Sequence, residues 1–477
     1  MNRKTVYVII SLVMVLSMLL SACAQATPEP APAAQESPVA PALPVGEIDW
    51  QQLAGTKITV FLSETPMAVA IRENLQEFKN LTGIEVEYLV VSENDYWSKL
   101  TVDLTSGAGQ FNVFMSGPTI NWGYAAAKQI QPLDPFMNDP SLTPANWDYD
   151  DFFPWAMESN RWDGTAGPAG LGKGELWSVP INAVNNIFTY RKDLFDQWGL
   201  QPPDTWDEWA AVAREIKEKS GGTVDGRPFY AVAQRGALDI TTLSGPFYSG
   251  LISYGGKDFN DDLTPAITSE RSLAFQRLYL DTIKETGSPE WPNMMWFDVM
   301  QGFTTGQYAM VFDVADFVAA YEAEGSNIAG KIAFAEPPAG PDGTRLSSVW
   351  TWGFSMNAQT KDDQAKAAWL FIMWASDAES MKAFAKNGSW PTRESVWNSA
   401  EVVEFSSQWA NFREVFDKIQ MNDTAWLVSP MVEASAVENV WVKGFHDYYF
   451  DQGSLEDILS KASADMTQIL KDTGTLK

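Results

Sequence analysis

One cysteine and one histidine occur in the 477 residues, and that scarcity rules out much chemistry at once. A disulfide within the chain is impossible, and Cys/His zinc sites, Ser–His triads and Cys–His dyads are almost excluded, with one residue of each kind to draw on. The histidine, His446, falls in a run with the spacing of an amphipathic helix, Asn439 to Phe450, and reads as structural. Basic residues are also few, 33 against 61 acidic, for a net charge of −28. A nucleic-acid partner is excluded on that balance, because phosphates need Lys and Arg, and so is attachment to anionic lipid by charge. Internal repeats are absent. What is abundant is tryptophan: 21 residues, most of them expected in a large core. A few indoles could instead stack on the C–H faces of sugar rings, whose hydroxyls need polar partners at the edges.

The chain opens on Asn2, Arg3 and Lys4, followed by an apolar run from Val6 to Leu20. That run is short for a bilayer span of about 20 residues and fits the core of a signal peptide. It ends in Leu20-Ser21-Ala22-Cys23, which resembles the lipobox of bacterial lipoproteins. In that family the Cys23 thiol would take a diacylglycerol, anchoring the chain to a membrane through its acyl chains. Residues 1–23 are therefore expected as signal peptide and 24–54 as a tether. From Ala24 to about Pro44 the composition is Ala, Pro, Gln, Thr and Ser, with no apolar period from which to build a core.

The body alternates strand and helix. Lys57–Leu62, Ile84–Val91 and Phe111–Met115 read as strands, with helices over Met67–Leu81 and Tyr96–Thr105 between them. This order predicts a mostly parallel sheet covered by helices, with ligands at the carboxyl ends of the strands. Further on, Ala183–Tyr190 reads as a strand. Thr205 and Glu208 form a capping box for a helix over Trp206–Lys219. Ser272–Glu285 and Asp362–Ser376 are amphipathic helices. Asp258, Asn260 and Asp262 have the opening spacing of a calcium loop, but Leu263 and Ser269 stand where its Gly and Glu belong, so an acidic turn is expected and no metal.

Four segments resemble the extracellular solute-binding proteins of carbohydrate ABC importers, the maltose-binding-protein group. They are Phe78-Lys79-Asn80-Leu81-Thr82-Gly83-Ile84-Glu85-Val86; the run GELWSVPINAVNNIFTYRKDLFDQWGLQPPDTWDEW ending at Trp209; Phe303-Thr304-Thr305-Gly306-Gln307-Tyr308-Ala309-Met310; and Trp350–Ser376, whose helix ends FIMWAS. The resemblance implies a periplasmic-binding-protein-like α/β fold, two α/β lobes joined by a multi-strand hinge, with the ligand between them. Lobe one would comprise 55–183 and 353–426, and lobe two 187–350 and 430–477. Hinge strands would lie near Asn182–Asn186 and Trp350–Phe354. It also implies an ABC permease as partner, a carbohydrate as ligand, a monomer, no cofactor and no catalysis.

Carried over position by position, the ligand-binding candidates are Glu64 after the first strand, Ser116, Thr119 and Trp122 after the third, and Asn185 on the first crossover. Pro246, Phe247 and Tyr248 match a segment that supplies an aromatic under the sugar. Asp313 and Asp316 follow the third segment, Trp350 and Trp352 lie on the second crossover, and Trp390 and Arg393 match a loop near the cleft. The chain departs from the family pattern at Asn112, where Asp is frequent, and at Arg191, where Asn is usual. Asp316 stands in place of an aromatic platform, so the maltose binder's preference does not transfer. Two rival readings are a secreted glycosidase, since carboxylates abound, and a binder of another solute such as a peptide or phosphate ester. For a phosphate, the Gly-rich stretch Gly170–Gly174 is the one candidate, and it precedes a strand-like run, as a loop would.

Overall fold

The computed structural model describes residues 48–420 and 428–477. The signal peptide with Cys23 and residues 24–47 of the expected tether lie outside the described residues, as does the 421–427 stretch at the end of expected lobe one. Ile48, Trp50 and Leu53, expected in the tether, are instead buried in the core, because their apolar side chains pack there.

From the N-terminal side the elements are β1 (Lys57–Ser63), α1 (Pro66–Thr82), β2 (Glu85–Val91), α2 (Glu93–Ser106), β3 (Val113–Ser116) and α3 (Pro118–Ala126). There follow β4 (Val179–Arg191), α4 (Trp206–Ser220), β5 (Tyr230–Ala233), α5 (Pro246–Ser253), α6 (Glu270–Thr286), α7 (Trp296–Thr304), β6 (Tyr308–Val314), β7 (Ile332–Ala335) and β8 (Val349–Met356). The chain ends in α8 (Asp362–Ala375), α9 (Phe412–Gln420), α10 (Ala434–Tyr449) and α11 (Leu455–Thr473). The expected strands and helices are all present, with ends shifted by a few residues. Their caps are those in the sequence. Thr65 accepts from the Ala68 N–H ahead of Pro66, the Thr205–Glu208 box is formed, and Gly83 closes α1 at φ 67°, a left-handed conformation suited to glycine.

The eight strands run in the order β2-β1-β3-β8-β4-β6-β5, with β7 also paired to β4. Here the expectation of a mostly parallel sheet is corrected. The β1–β2, β1–β3 and β5–β6 ladders are parallel, but β8 is antiparallel to β3, and β4 is antiparallel to β8, β6 and β7. The reason is connectivity: β4 and β8 do not close local strand–helix–strand units but travel between two parallel groups. Strand β4 is 13 residues long and buried throughout. Val179–Asn185 pairs with β8, and Asn186–Arg191 pairs with β6 or β7. A strand satisfied on both edges and covered on both faces needs a continuous apolar or paired surface, which explains why its sequence does not alternate simply.

The acidic turn at Asp258 serves the fold. Ser429 donates its backbone N–H (2.6 Å) and hydroxyl (3.0 Å) to the buried Asp258 carboxylate, while Asn260 and Asp262 bond to Thr264. Nearby Glu438 on α10 is buried, and that burial, reinforced by the charges of Asp258 and Asp239, holds its carboxyl well above the usual range. The unfolded chain ionises this group near pH 4.5 while the folded chain keeps the proton, so native stability falls as pH rises through that interval. Glu438→Gln removes the penalty. Its Tm is expected to exceed that of the parent by about 1–2 °C at pH 8, with the gap closing towards pH 5. Calorimetry at both pH values checks this, and an equal gap at both would contradict it.

Candidate functional site

The two parallel groups aim their carboxyl ends at one place. β1 and β3 end at Ser63 and Ser116, and Gly353 of β8 lies opposite Ser116. β5 and β6 end at Ala233 and Val314, and Asn186 of β4 lies opposite Val314. The stretches Asn182–Asn186 and Val349–Trp352 thus lie beyond both sets of carboxyl ends, where open α/β sheets hold ligands.

Strand geometry sorts these stretches into two faces. Side chains alternate, so Asn182, Val184 and Asn186 share a face, joined across the ladder by Trp352 opposite Asn182 and Trp350 opposite Val184. On this face Asn182 donates to Asp316 Oδ2 at 2.8 Å. Four further polar atoms there are enclosed and have no partner: Asn182 Oδ1, Asn186 Oδ1, Asp316 Oδ1 and Trp350 Nε1. Each such atom left unpaired costs about 1–3 kcal/mol. Burial pushes the Asp316 carboxyl up to about 7, opposed by the Asn182 hydrogen bond. Asn182 and Asn186 present acceptors, Trp350 a donor, and Asp316 an acceptor once ionised.

Aromatic rings frame this cluster. Trp350 lies so close to Gly117, at the turn from β3 into α3, that a Cβ there would stand 2.3 Å from Cζ2 of the ring. Glycine is required at 117 by that contact. Trp350 and Trp352 meet edge to face at 5.3 Å, and Trp352 lies 6.2 Å from Trp97 of α2. Phe317, next to Asp316, stacks on Trp296 of α7 at 5.9 Å.

Of the candidates drawn from the sequence, Asp316, Trp350 and Trp352 come together here. Glu64 is exposed after β1, and Thr119 is half-buried in the first turn of α3. Ser116 donates to Asn121 at 2.6 Å, and Trp122 is buried beside Trp162. The remaining candidates are placed elsewhere and need correction. Asn185 points to the opposite face of β4 and donates to Gln420, because it is odd where Asn182 and Asn186 are even. Asp313 is held in a buried two-bond ion pair with Arg235 and also accepts from the Val314 N–H, so its oxygens are engaged. Pro246 opens α5, Phe247 is packed against Phe275, Tyr279, Trp441 and Phe445, and Tyr248 is buried near Asp258. Trp390 is enclosed by Trp397, Phe412 and Phe416. Arg393 is 1% exposed, donating to the carbonyls of Trp147, Asp148 and Ser376 and pairing with Asp151. These are core positions that a motif match does not distinguish from a cleft.

Asn182, Asn186, Trp97 and Trp296 were missed. The period of two within the first crossover was the available signal for the asparagines; Trp97 and Trp296 come from distant helices with no such signal.

The sequence profile of bacterial extracellular solute-binding proteins matches residues 63–382. The chain belongs to that family. This solute-binding protein is 27% identical over 431 residues to the erythritol/L-threitol-binding protein of Mycolicibacterium smegmatis, covering 89% of this chain and 88% of that one. Its fold matches an ABC transporter solute-binding protein of Agrobacterium radiobacter in complex with ribitol (TM-score 0.72, 21% identity, 87% of this chain and 99% of that one). It also matches maltose-bound MalE3 of T. maritima (TM-score 0.73, 20% identity, 87% and 100%). The solute-binding protein therefore has the periplasmic-binding-protein-like α/β fold. Among its described residues no helix is long and apolar enough to cross a membrane.

Proposed function

We propose that this protein captures a neutral polyhydroxylated solute, a polyol or sugar, in the cleft around Trp350 and Asp316, and hands it unaltered to an ABC import permease. The observation that carries the reading is the set of four enclosed, unpaired polar atoms on or beside the strand face shared with Trp350 and Trp352. A hydroxyl both donates and accepts, so adjacent hydroxyls could donate to Asn182, Asn186 and Asp316 while one accepts from Trp350. Ring faces would cover the C–H edges. Charge argues in the same direction. The cluster contains no cation, and the nearby guanidinium of Arg235 is taken by Asp313, so an amino-acid carboxylate or a phosphate would enter without a counter-charge. The named ligands of the relatives, erythritol, threitol and ribitol, are of the favoured class.

Asp316 is the one carboxylate with an unpaired oxygen in the cluster, and Glu93 on the aromatic frame accepts from two indoles, whereas most glycosidases need two carboxyl groups flanking the bond. That supports binding without hydrolysis. Closure would follow from tighter binding to the closed state. Strand β8 pairs with β3 of one parallel group, β4 pairs with β6 of the other, and the β4–β8 ladder joins the two, which supports lobes of 55–183 with 353–426 and 187–350 with 430–477. The lipobox-like run supports attachment through Cys23 to the outer face of the cytoplasmic membrane, with the protein acting as a monomer and without cofactor.

A thermal-shift screen of the chain from Ala24 onward tests the proposal, using tetritols, pentitols, hexitols, mono- and disaccharides, amino acids and phosphate esters. A rise in Tm is expected for a polyol or sugar, with that solute recovered intact by chromatography. Full-length Cys23→Ser protein is expected in the medium rather than the membrane fraction. Cleavage of the solute, or a response confined to amino acids or phosphate esters, would defeat the reading.

A further inference from the structure

One carboxylate bridges the two groups of parallel strands. Glu93 is the first residue of α2, on the side of the β1–β3 group. Its Oε2 accepts from the indole N–H of Trp296 at 3.1 Å, 203 residues away on α7, which leads into β6 of the other group. Its Oε1 accepts, at 3.5 Å, from the indole N–H of Trp97 one turn along α2. The two indoles are the outermost members of the aromatic frame: Trp97 leans on Trp352, and Trp296 stacks on Phe317. Glu93 thus ties together one ring from each side.

We propose that Glu93 is a positioning residue, a clasp whose carboxylate joins Trp97 and Trp296 and sets how long the cleft stays closed. The physical case rests on three points. A bond between an ionised acceptor and an indole donor is stronger than a neutral one. All three side chains are half-buried, so water competes only in part. The bond is lost on any motion that separates α2 from α7, so it stabilises only the closed arrangement, and a contact of that kind acts on residence time more than on encounter. That this arrangement encloses a solute rests on the function proposed above; the clasp itself does not.

The test therefore has one arm that needs no ligand. Spin labels are placed at Glu73→Cys and Glu218→Cys, exposed positions on α1 and α4, in the chain from Ala24 onward, which has no other cysteine. Distance distributions are then compared for the parent, Glu93→Ala, Trp296→Phe and the double variant. Trp296→Phe keeps a ring to stack on Phe317 and removes only the donor. Each single variant is expected to move population to longer distances, and the double variant no further than the singles, because both break one bond. In stopped-flow measurements with a solute identified by the screen, dissociation is expected to quicken roughly tenfold with association unchanged. Unchanged distance distributions in both single variants would overturn the clasp, as would effects that add in the double variant. Failure of every solute to bind, with the distances shifted as expected, would sink the proposed function and leave the clasp standing.

Discussion

Trp350→Ala is expected to weaken solute binding by about 100- to 1000-fold while leaving the empty protein folded. Two losses combine. The indole supplies a ring face to the solute, and truncating such an aromatic anchor at a binding site costs about 2–4 kcal/mol. Its Nε1 is also the one donor among the four unpaired atoms, so a ligand hydroxyl loses its partner on binding. Trp350 is only half-buried, and it rests on Gly117 rather than within a layer of core side chains, so the fold itself depends on it less. Trp350→Phe separates the two losses. It retains a ring and is expected to bind about 10-fold more weakly than the parent, the effect of one unpaired hydroxyl at about 1–3 kcal/mol. Titration calorimetry reads both variants, and a dissociation constant within threefold of the parent for Trp350→Ala would remove this residue from the site.

Asp316→Asn should separate stability from function. In the empty cleft burial raises the Asp316 carboxyl to about 7, against an ordinary value of 3.8. Between those values the unfolded chain has released the proton and the folded chain retains it. The parent therefore loses stability as pH rises from about 4 to about 7, and no more above that. An amide does not ionise and can still accept the Asn182 hydrogen bond. The variant is expected to match the parent near pH 4 and to exceed it by a margin on the order of 4 kcal/mol above pH 7. Affinity should move the other way. An ionised carboxylate accepts a stronger bond from a hydroxyl, about 1.5–3 kcal/mol, so the variant should bind roughly 10- to 100-fold more weakly above pH 7. Thermal unfolding from pH 4 to 8 and calorimetric titration at pH 8 measure the two halves. A stability margin that does not change with pH would show that Asp316 is not held neutral by burial.

Both residues were also named from the sequence. Trp350, Trp352 and Asp316 were named from the family pattern and come together beside Asn182. Phe247, Trp390 and Arg393 were carried over on equal grounds and sit in the core. A motif reports which element a residue belongs to; the packing around that element decides whether its side chain meets solvent, ligand or other side chains. Asn185 illustrates a finer failure. One position along an extended strand reverses the face, so the neighbouring Asn186 reaches the cluster and Asn185 does not.

The sequence by itself determined the local elements and their caps, since helix period, strand period and N-cap chemistry act over a few residues. It also determined the class of protein, because scarce Cys and His, excess acid and the ordered family segments leave few chemistries open. Tertiary structure alone decided the mixed sheet and the face on which Asn182 meets Asp316. It alone brought Glu93 to Trp296 across 203 residues. Those contacts depend on how separate elements pack, and no periodicity within one segment encodes the position of another.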